Sequence, residues 1–290
     1  MRLVRGYAGV LSATFMTDET PIDAGAVTVT VTDATGTIVA TGAASTPSTG
    51  VYTFSMSPLT ALGPLSVSWV SGTLSQTTSA EVVGSTLFAL PDARASDPAF
   101  GNTAKFPTAA LAAAREAVTD EFSRICGRSF IPRGNTYTTT LDNTGSVLLP
   151  DSDLTKVVSA TVDGVTQTGL TIDPIGLVYG LPTKQRLTLQ QVWDGSIGSG
   201  APGPGTVVIT YEYGFTEVPN DLYRAAIQRA RFILASIASG IPDRATSFVA
   251  TEGGSFTLAT PGSGVWQTGI PDVDAVLARY TIAPKGVVVA

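Results

Sequence analysis

The chain has 290 residues, a formal net charge of −6, 43% hydrophobic and 14% charged residues, one cysteine and no histidine. This composition supports a buried core, argues for two domains by length, and offers no basic stripe for reading nucleic acid. Without histidine the commonest general base, the Ser–His and Cys–His nucleophile pairs and most zinc sites are excluded, and a single cysteine excludes an intramolecular disulfide and soft-metal centres.

The N-terminal stretch MRLVRGYAGVLSATF carries only a weak apolar run broken by glycine and threonine. It has no signal-peptide core, and no run approaches the ~20 apolar residues of a bilayer span, so synthesis in the cytoplasm is expected. Residues 1–84 then read as all-β. AVTVTVTD sets Val27, Val29 and Val31 against Thr28, Thr30 and Thr32. VYTFSM and LSVSWV alternate in the same way through Tyr52, Phe54, Met56, Leu65, Val67 and Trp69. Period two between turn signals such as DATG and TPSTG predicts a small β-sandwich.

Residues 85–106, with Pro91 and Pro98, a third proline at 107 just beyond, and no clean period, are expected to be a linker. Leu87, Phe88, Leu90 and Phe100 imply that part of it packs on a neighbour. From Pro107 to Cys126 the alanine-rich composition predicts a helix with Leu111, Val118, Phe122 and Ile125 on one stripe. Pro107 suits its first turn and Gly127 its C′ position. The chain returns to β from Arg133 to about Phe215, with an Asp-Gly hairpin signal in VDGV at 162–165. A second helix follows Pro219, its apolar stripe running through Leu222, Ala226, Ala230, Ile233 and Ile237. Residues 242–265 read as loop or weak hairpin. IPDVDAVLARY makes a short final helix, and the apolar tail TIAPKGVVVA must dock on something.

Cys126, in SRICGRSFIPRG, is the obvious candidate nucleophile. It sits at a predicted helix C-terminus, where the dipole disfavours a thiolate, and no histidine exists to activate it. A small core residue at a structural corner made by Gly127, Phe130 and Pro132 is expected instead. Asp142, Asp151, Asp153, Glu212 and Glu217 could pair for glycoside hydrolysis, yet nothing in the sequence converges them. DSDLT lacks the glycine and distal glutamate of a calcium loop, and GAPGPG lacks the Lys-Ser/Thr of a phosphate loop. Arg224, Arg229 and Arg231 read as a solvated or subunit-facing surface. No catalytic, cofactor or metal residue is assigned, and no enzyme is expected.

The segment from Phe106 to Tyr280 resembles the head–tail connector (adaptor) proteins of long-tailed bacteriophages, in particular those of actinobacteria. The likeness is an ordered series. FPTAALAAAREAVTDEFSRICGRSFIPR comes first, then LLP, then ATVDG, then VVITYEYGFTEVPNDLYRAAIQRARFIL, a strand ending in Tyr-x-x-Gly before a Pro-initiated helix. TGIPDVDAVLARY closes it. The N-terminal module looks like the Ig-like domains often attached to phage structural proteins. The implied fold is α+β and multi-domain: an Ig-like sandwich (1–84), a linker (85–106) and a connector domain (107–290). That domain has two main helices, a β-rich insertion and a short C-terminal helix with its tail (266–290).

The resemblance implies a structural virion protein at the neck of the particle. Copies would form a ring, about twelve-fold, by heterologous contacts. Its partners would be other copies, the portal protein and a tail-side stopper or completion protein, with the capsid or host surface met by the Ig-like domain. DNA would pass through the lumen unread. Trp266, Ile270, Val273, Val276, Leu277, Tyr280, Val287 and Val288 are the expected docking residues for the portal or a neighbouring subunit, mobile until assembly. The rival readings are an adhesion or decoration protein acting through the Ig-like module, and a carboxylate-dependent hydrolase.

Overall fold

The computed structural model describes residues 1–141, 144–182, 205–239, 247–249, 255–257 and 268–282. The fold is mixed α+β, with several sheets and few helices. The chain divides into two compact units, Met1–Ser85 with Ile131–Phe215, and Thr86–Phe130 with Thr216–Ala290. These boundaries differ from the expected cuts at 84 and 106.

The first unit begins with β1 (Arg2–Val4), β2 (Gly9–Thr14), β3 (Met16–Thr17), β4 (Thr20–Pro21) and β5 (Thr28–Asp33). It continues through β6 (Ile38–Ala43), β7 (Ser45–Ser48), β8 (Val51–Met56), β9 (Gly63–Ser71) and β10 (Leu74–Val83). A five-stranded sheet runs β1-β10-β9-β5-β6 and a three-stranded sheet runs β2-β8-β7. Val29, Val31, Val67 and Trp69 of the first share one core with Leu11, Ala13, Tyr52 and Met56 of the second. The alternation read from the sequence therefore sorts the residues as expected, valine inward and threonine outward. Trp69 is fully buried, and its indole N–H donates to Thr78 Oγ1 at 2.9 Å, so the polar end of the ring is satisfied.

After the chain's return at Ile131 the strands are β11 (Arg133–Thr140), β12 (Ser146–Leu148), β13 (Leu154–Val162), β14 (Val165–Thr166), β15 (Thr171–Asp173), β16 (Leu177–Tyr179) and β17 (Thr206–Tyr213). They form a four-stranded sheet, β11-β17-β13-β14, and a small sheet, β12-β16-β15. Ile209, Tyr211, Ala160, Leu149 and Val178 lie in a core shared by both. Asp163 and Gly164 both take positive φ, 51° and 80°, between the paired residues Val162 and Val165. That is the tight hairpin which the Asp-Gly pair predicts.

The sandwich and the four-stranded sheet are joined within this unit. Glu81 on β10 receives Arg133 of β11 through two bonds, at 2.5 and 2.6 Å, and Arg2 of β1 at 3.3 Å. Arg5 donates to both oxygens of Glu212 on β17 at 3.1 and 3.2 Å. The Gly84 N–H donates to the Pro132 carbonyl at 2.8 Å, so the chain re-enters the unit beside the point where it left. Gly134 is pressed against Leu62: an added Cβ would overlap the Leu62 carbonyl oxygen and sit 2.9 Å from Leu62 Cβ. The N-terminal module is thus part of the same compact body as the four-stranded sheet, held by ion pairs and a close backbone approach.

The second unit is helical: α1 (Leu90–Ala95), a 3-10 turn at Pro98–Gly101, α2 (Thr108–Cys126), α3 (Asn220–Ser239) and α4 (Pro271–Tyr280), with a hairpin of β18 (Ser247–Val249) and β19 (Ser255–Thr257). The expected linker is folded. Leu87 and Phe88 are buried, and Phe100 packs edge-to-face on Phe106 at 5.0 Å. Its prolines start elements instead of breaking them: Pro91 and Pro98 stand in first turns, and Asp97 caps the 3-10 turn by accepting the Ala99 N–H at 2.9 Å.

Candidate functional site

The three main helices of the second unit pack on one another, α2 with α3 and both with α4. On α2, Leu111, Val118, Phe122 and Cys126 are buried, while the expected Ile125 is half-buried. On α3 the inward face is made small by Ala225, Ala226 and Ala230, flanked by Leu222 and Leu234. Arg229 of α3 donates to both carboxylate oxygens of Glu121 on α2 at 2.8 Å, and both side chains are about 15% exposed or less. A paired, bidentate guanidinium is how a charge is tolerated at such a helix contact.

The expected corner and the expected docking helix turn out to be two halves of one contact. Gly127 takes φ 67° and closes α2 with its N–H on the Ser123 carbonyl, the left-handed cap that its position predicts. Cys126 is fully buried; its thiol faces the Leu277 carbonyl at 3.5 Å, and its own carbonyl accepts the Ile282 N–H at 3.1 Å. Phe130 meets the Tyr280 ring edge-to-face at 5.8 Å. The Tyr280 hydroxyl then donates to Asp221 of α3 at 2.8 Å.

Val273 and Leu277 are therefore buried on α2 and α3 of their own chain, with Val276 and Tyr280 half-buried beside them. The apolar face of α4 is thus covered within its own chain. Ile270 is the residue before the first turn of α4. Buried Asp274 reaches back to accept the Thr268 hydroxyl at 2.6 Å, which anchors the start of the helix. Trp266, Val287 and Val288 lie outside the described residues. Pro132 belongs to the other unit, where its carbonyl holds Gly84.

Burial pushes the Cys126 thiol up, with a Thr281 hydrogen bond and Arg128 pulling weakly the other way. A thiol shifted in that direction is a poor nucleophile. Cys126→Ser is expected to leave stability within about 1 kcal/mol, because a hydroxyl fits and has Leu277 O to donate to. Gly127→Val is expected to cost about 2 kcal/mol or more: a β-branched residue is strained at positive φ, and its Cβ would meet Ile282 Cγ1 at 3.4 Å. Denaturant midpoints of the two variants give the comparison, and equal midpoints would sink the corner reading.

Of the acids weighed for catalysis, Glu212 and Asp151 are engaged in the fold. Glu212 is paired with Arg5. Asp151 accepts from the Tyr211 hydroxyl and from Asn135 Nδ2, the latter at 2.9 Å. Burial, then the Asp151 contact, holds the Tyr211 phenol far above its usual range. Glu217 is exposed, Asp142 lies outside the described residues, and the described residues hold no cluster of three potential metal-ligating side chains. Arg231 pairs with Asp97 at 2.9 Å. Arg224 is exposed. What sequence reasoning missed is the Arg2–Glu81–Arg133 junction, whose partners carry no local signal of each other.

The Asp221–Tyr280 bond makes the α4 contact acid-sensitive. Hydrogen bonding from Tyr280, with smaller help from the backbone and Arg279, holds the Asp221 carboxyl below its ordinary 3.8. A lowered folded-state value means that this stabilisation is complete above the unfolded value and fades as the pH falls through the folded one. Amide protection factors across 271–280, taken relative to the intrinsic exchange rate at each pH, are expected to fall below about pH 4 in the native chain. Asp221→Asn should remove that step, and an unchanged pH profile in the variant would exclude Asp221 as its source.

No family model matches the chain, and no curated protein matches it. Among solved structures, the chain is similar to one from the neck of an empty GTA particle computed with C6 symmetry. The identity is 18%, over 67% of this chain and 88% of that one, with a TM-score of 0.39. It is also similar to trypsin-activated α2-macroglobulin from Escherichia coli, at 17% identity over 28% of this chain and 6% of that one, with a TM-score of 0.22. Neither likeness is close enough to carry an argument about this chain.

Proposed function

We propose that this chain is a structural subunit of a phage virion neck, a connector that assembles as a ring between the portal and the tail-side completion protein, with DNA passing through the lumen. No catalytic step belongs to this reading. The observation that carries it is the ordered sequence series from Phe106 to Tyr280, because its elements have definite places in the fold. The Gly-Arg-Ser-Phe segment ends α2 at a left-handed cap. The Tyr-x-x-Gly strand is β17, the strand between β11 and β13 in its sheet. The Pro-initiated helix is α3, and the closing helix, α4, packs on α2 and α3.

In this reading the packed helices are rigid surfaces ready for a neighbour, so binding does not have to wait for them to fold. The sandwich, with Ig-like character, braces the connector sheet and offers an outer face to other virion proteins. An adhesion role would favour aromatic rows facing solvent on its strands. The outward residues of β5 and β9 are instead serine, threonine, proline and valine.

The test is native mass spectrometry and negative-stain imaging of the purified chain, alone and with its portal. Rings that stack on the portal are the expected result. A persistent monomer that ignores the portal and binds glycans would overturn the proposal in favour of the adhesion reading.

A further inference from the structure

We propose that the open edge of β6 receives residues 286–290 of a neighbouring copy as an added strand. β6 is the last strand of its sheet, and among the described residues no strand pairs with its far side. The Ala44 N–H donates to the Val27 carbonyl at 2.9 Å, and the register runs on through Val29 with Gly42 and Val31 with Ala40. Bonded pairs alternate in an antiparallel ladder, so the N–H and C=O groups of Thr41 and Ala43 point away from β5 along the open edge. Edge strands are normally blunted by a charge, a proline or short length. The opposite edge of the same sheet is β1, three residues long and carrying Arg2. β6 instead has six residues, Ile-Val-Ala-Thr-Gly-Ala, with no charge and no proline. Ile38 and Val39 are 61% and 37% exposed, and the register shift of this pair, between Val31 and Thr32, lies clear of Thr41 and Ala43.

The inner side of this edge defines the occupant. Ala40 and Gly42 face the core there, and a Cβ on Gly42 would come within 3.0 Å of Phe54 Cε2. Phe54, on β8, is only half-buried. A strand added to β6 lays alternate side chains beside Phe54, and branched apolar ones cover it best. A second β6 is a poor occupant, because its own inner residues are the same alanine and glycine. Residues 286–290 read Gly-Val-Val-Val-Ala, three consecutive β-branched residues with neither charge nor proline. Charge agrees: Lys285 is the only charged residue after Arg279, whereas residues 6–85 hold Asp18, Glu19, Asp23, Asp33 and Glu81 and no base. Reach agrees as well. The Ile282 N–H is fixed to the Cys126 carbonyl, and the eight residues beyond it span at most about 29 Å. The strand and its acceptor are different patches, so the contact is heterologous, the kind that closes a ring. The choice of a neighbouring copy rests on the ring reading above.

Two singly substituted full chains are mixed, one Thr41→Cys and the other Val288→Cys, so that every link between the two species joins two copies. Cys126 is buried and silent in both. A short bis-maleimide is expected to link this pair at least about tenfold faster than Val288→Cys mixed with Ser12→Cys, an exposed site on β2. Adding Ala43→Pro to the Thr41→Cys chain removes one N–H from the open edge and leaves the bonds to β5 in place, so the rate should fall to that of the control. Val287→Pro in the Val288→Cys chain should do the same from the donor side, with the sandwich untouched. Equal rates for Thr41→Cys and Ser12→Cys, no link from either, or a fast link that survives Val287→Pro would each overturn the proposal. Rings on the portal are scored separately by imaging: rings without the link sink this contact alone, and a link without rings sinks the ring reading alone.

Discussion

Replacing Gly134 by alanine is expected to destabilise the first unit by about 3 kcal/mol, among the largest effects of any single methyl group in this chain. The new Cβ would overlap the Leu62 carbonyl oxygen, and a backbone atom cannot swing aside as the end of a side chain can. Relief requires β11 to move away from the segment before β9, which also loosens the Arg133–Glu81 pair one residue away. Gly101→Ala is the control: it has open space around it, ordinary φ, and an expected change within about 0.5 kcal/mol. Urea midpoints at constant slope measure both. Similar midpoints for the two variants would mean that the close approach does not constrain the fold.

Glu81→Leu is expected to cost about 2–3 kcal/mol, because it leaves two arginines without their carboxylate where water reaches them poorly. The Arg2, Arg133 and Glu81 side chains are only 10%, 20% and 17% exposed. Removing Arg133 as well should recover part of the loss, since the second substitution deletes a stranded charge. A double-mutant cycle with Arg133→Leu reads that coupling directly. Strict additivity would show that the Glu81–Arg133 contact contributes no coupling energy, which would sink the reading of the junction as a stabilising network. Arg133→Lys is expected to be a poor substitute, because a point charge cannot reproduce the two-pronged bond.

Local features of the sequence were readable because their causes are local. The Val29 and Thr30 alternation, the Asp163-Gly164 hairpin and the Gly127 cap each follow from a few adjacent residues. What could not be read is pairing at a distance. Glu81 and Arg133 stand 52 residues apart, and Arg5 and Glu212 stand 207 apart, with helices coded between them. The sandwich was therefore read as a separate domain, although its β10 lies beside β11. The prolines near residue 95 misled for a different reason: proline breaks a helix interior yet suits a first turn, and only the cap at Asp97 tells the two apart. For α4, the stripe of Val273, Leu277 and Tyr280 was legible as a sticky face. That its acceptor is the end of α2 depends on Cys126 meeting Leu277, which no spacing rule predicts.

The chain crosses between its two units at Ser85, at Phe130 and again at Phe215. During translation this makes the order of synthesis differ from the order of completion. The sandwich strands emerge consecutively and can pair at once, but β11 waits for β17 to supply its sheet partner. The end of α2 waits longest, since Cys126 and Leu277 are separated by 151 residues. At ribosomal speeds that is a delay of roughly 8–30 s, during which the apolar face of α2 has only part of its cover. A nascent chain stalled before α4 leaves the end of α2 without the cover that Leu277 supplies.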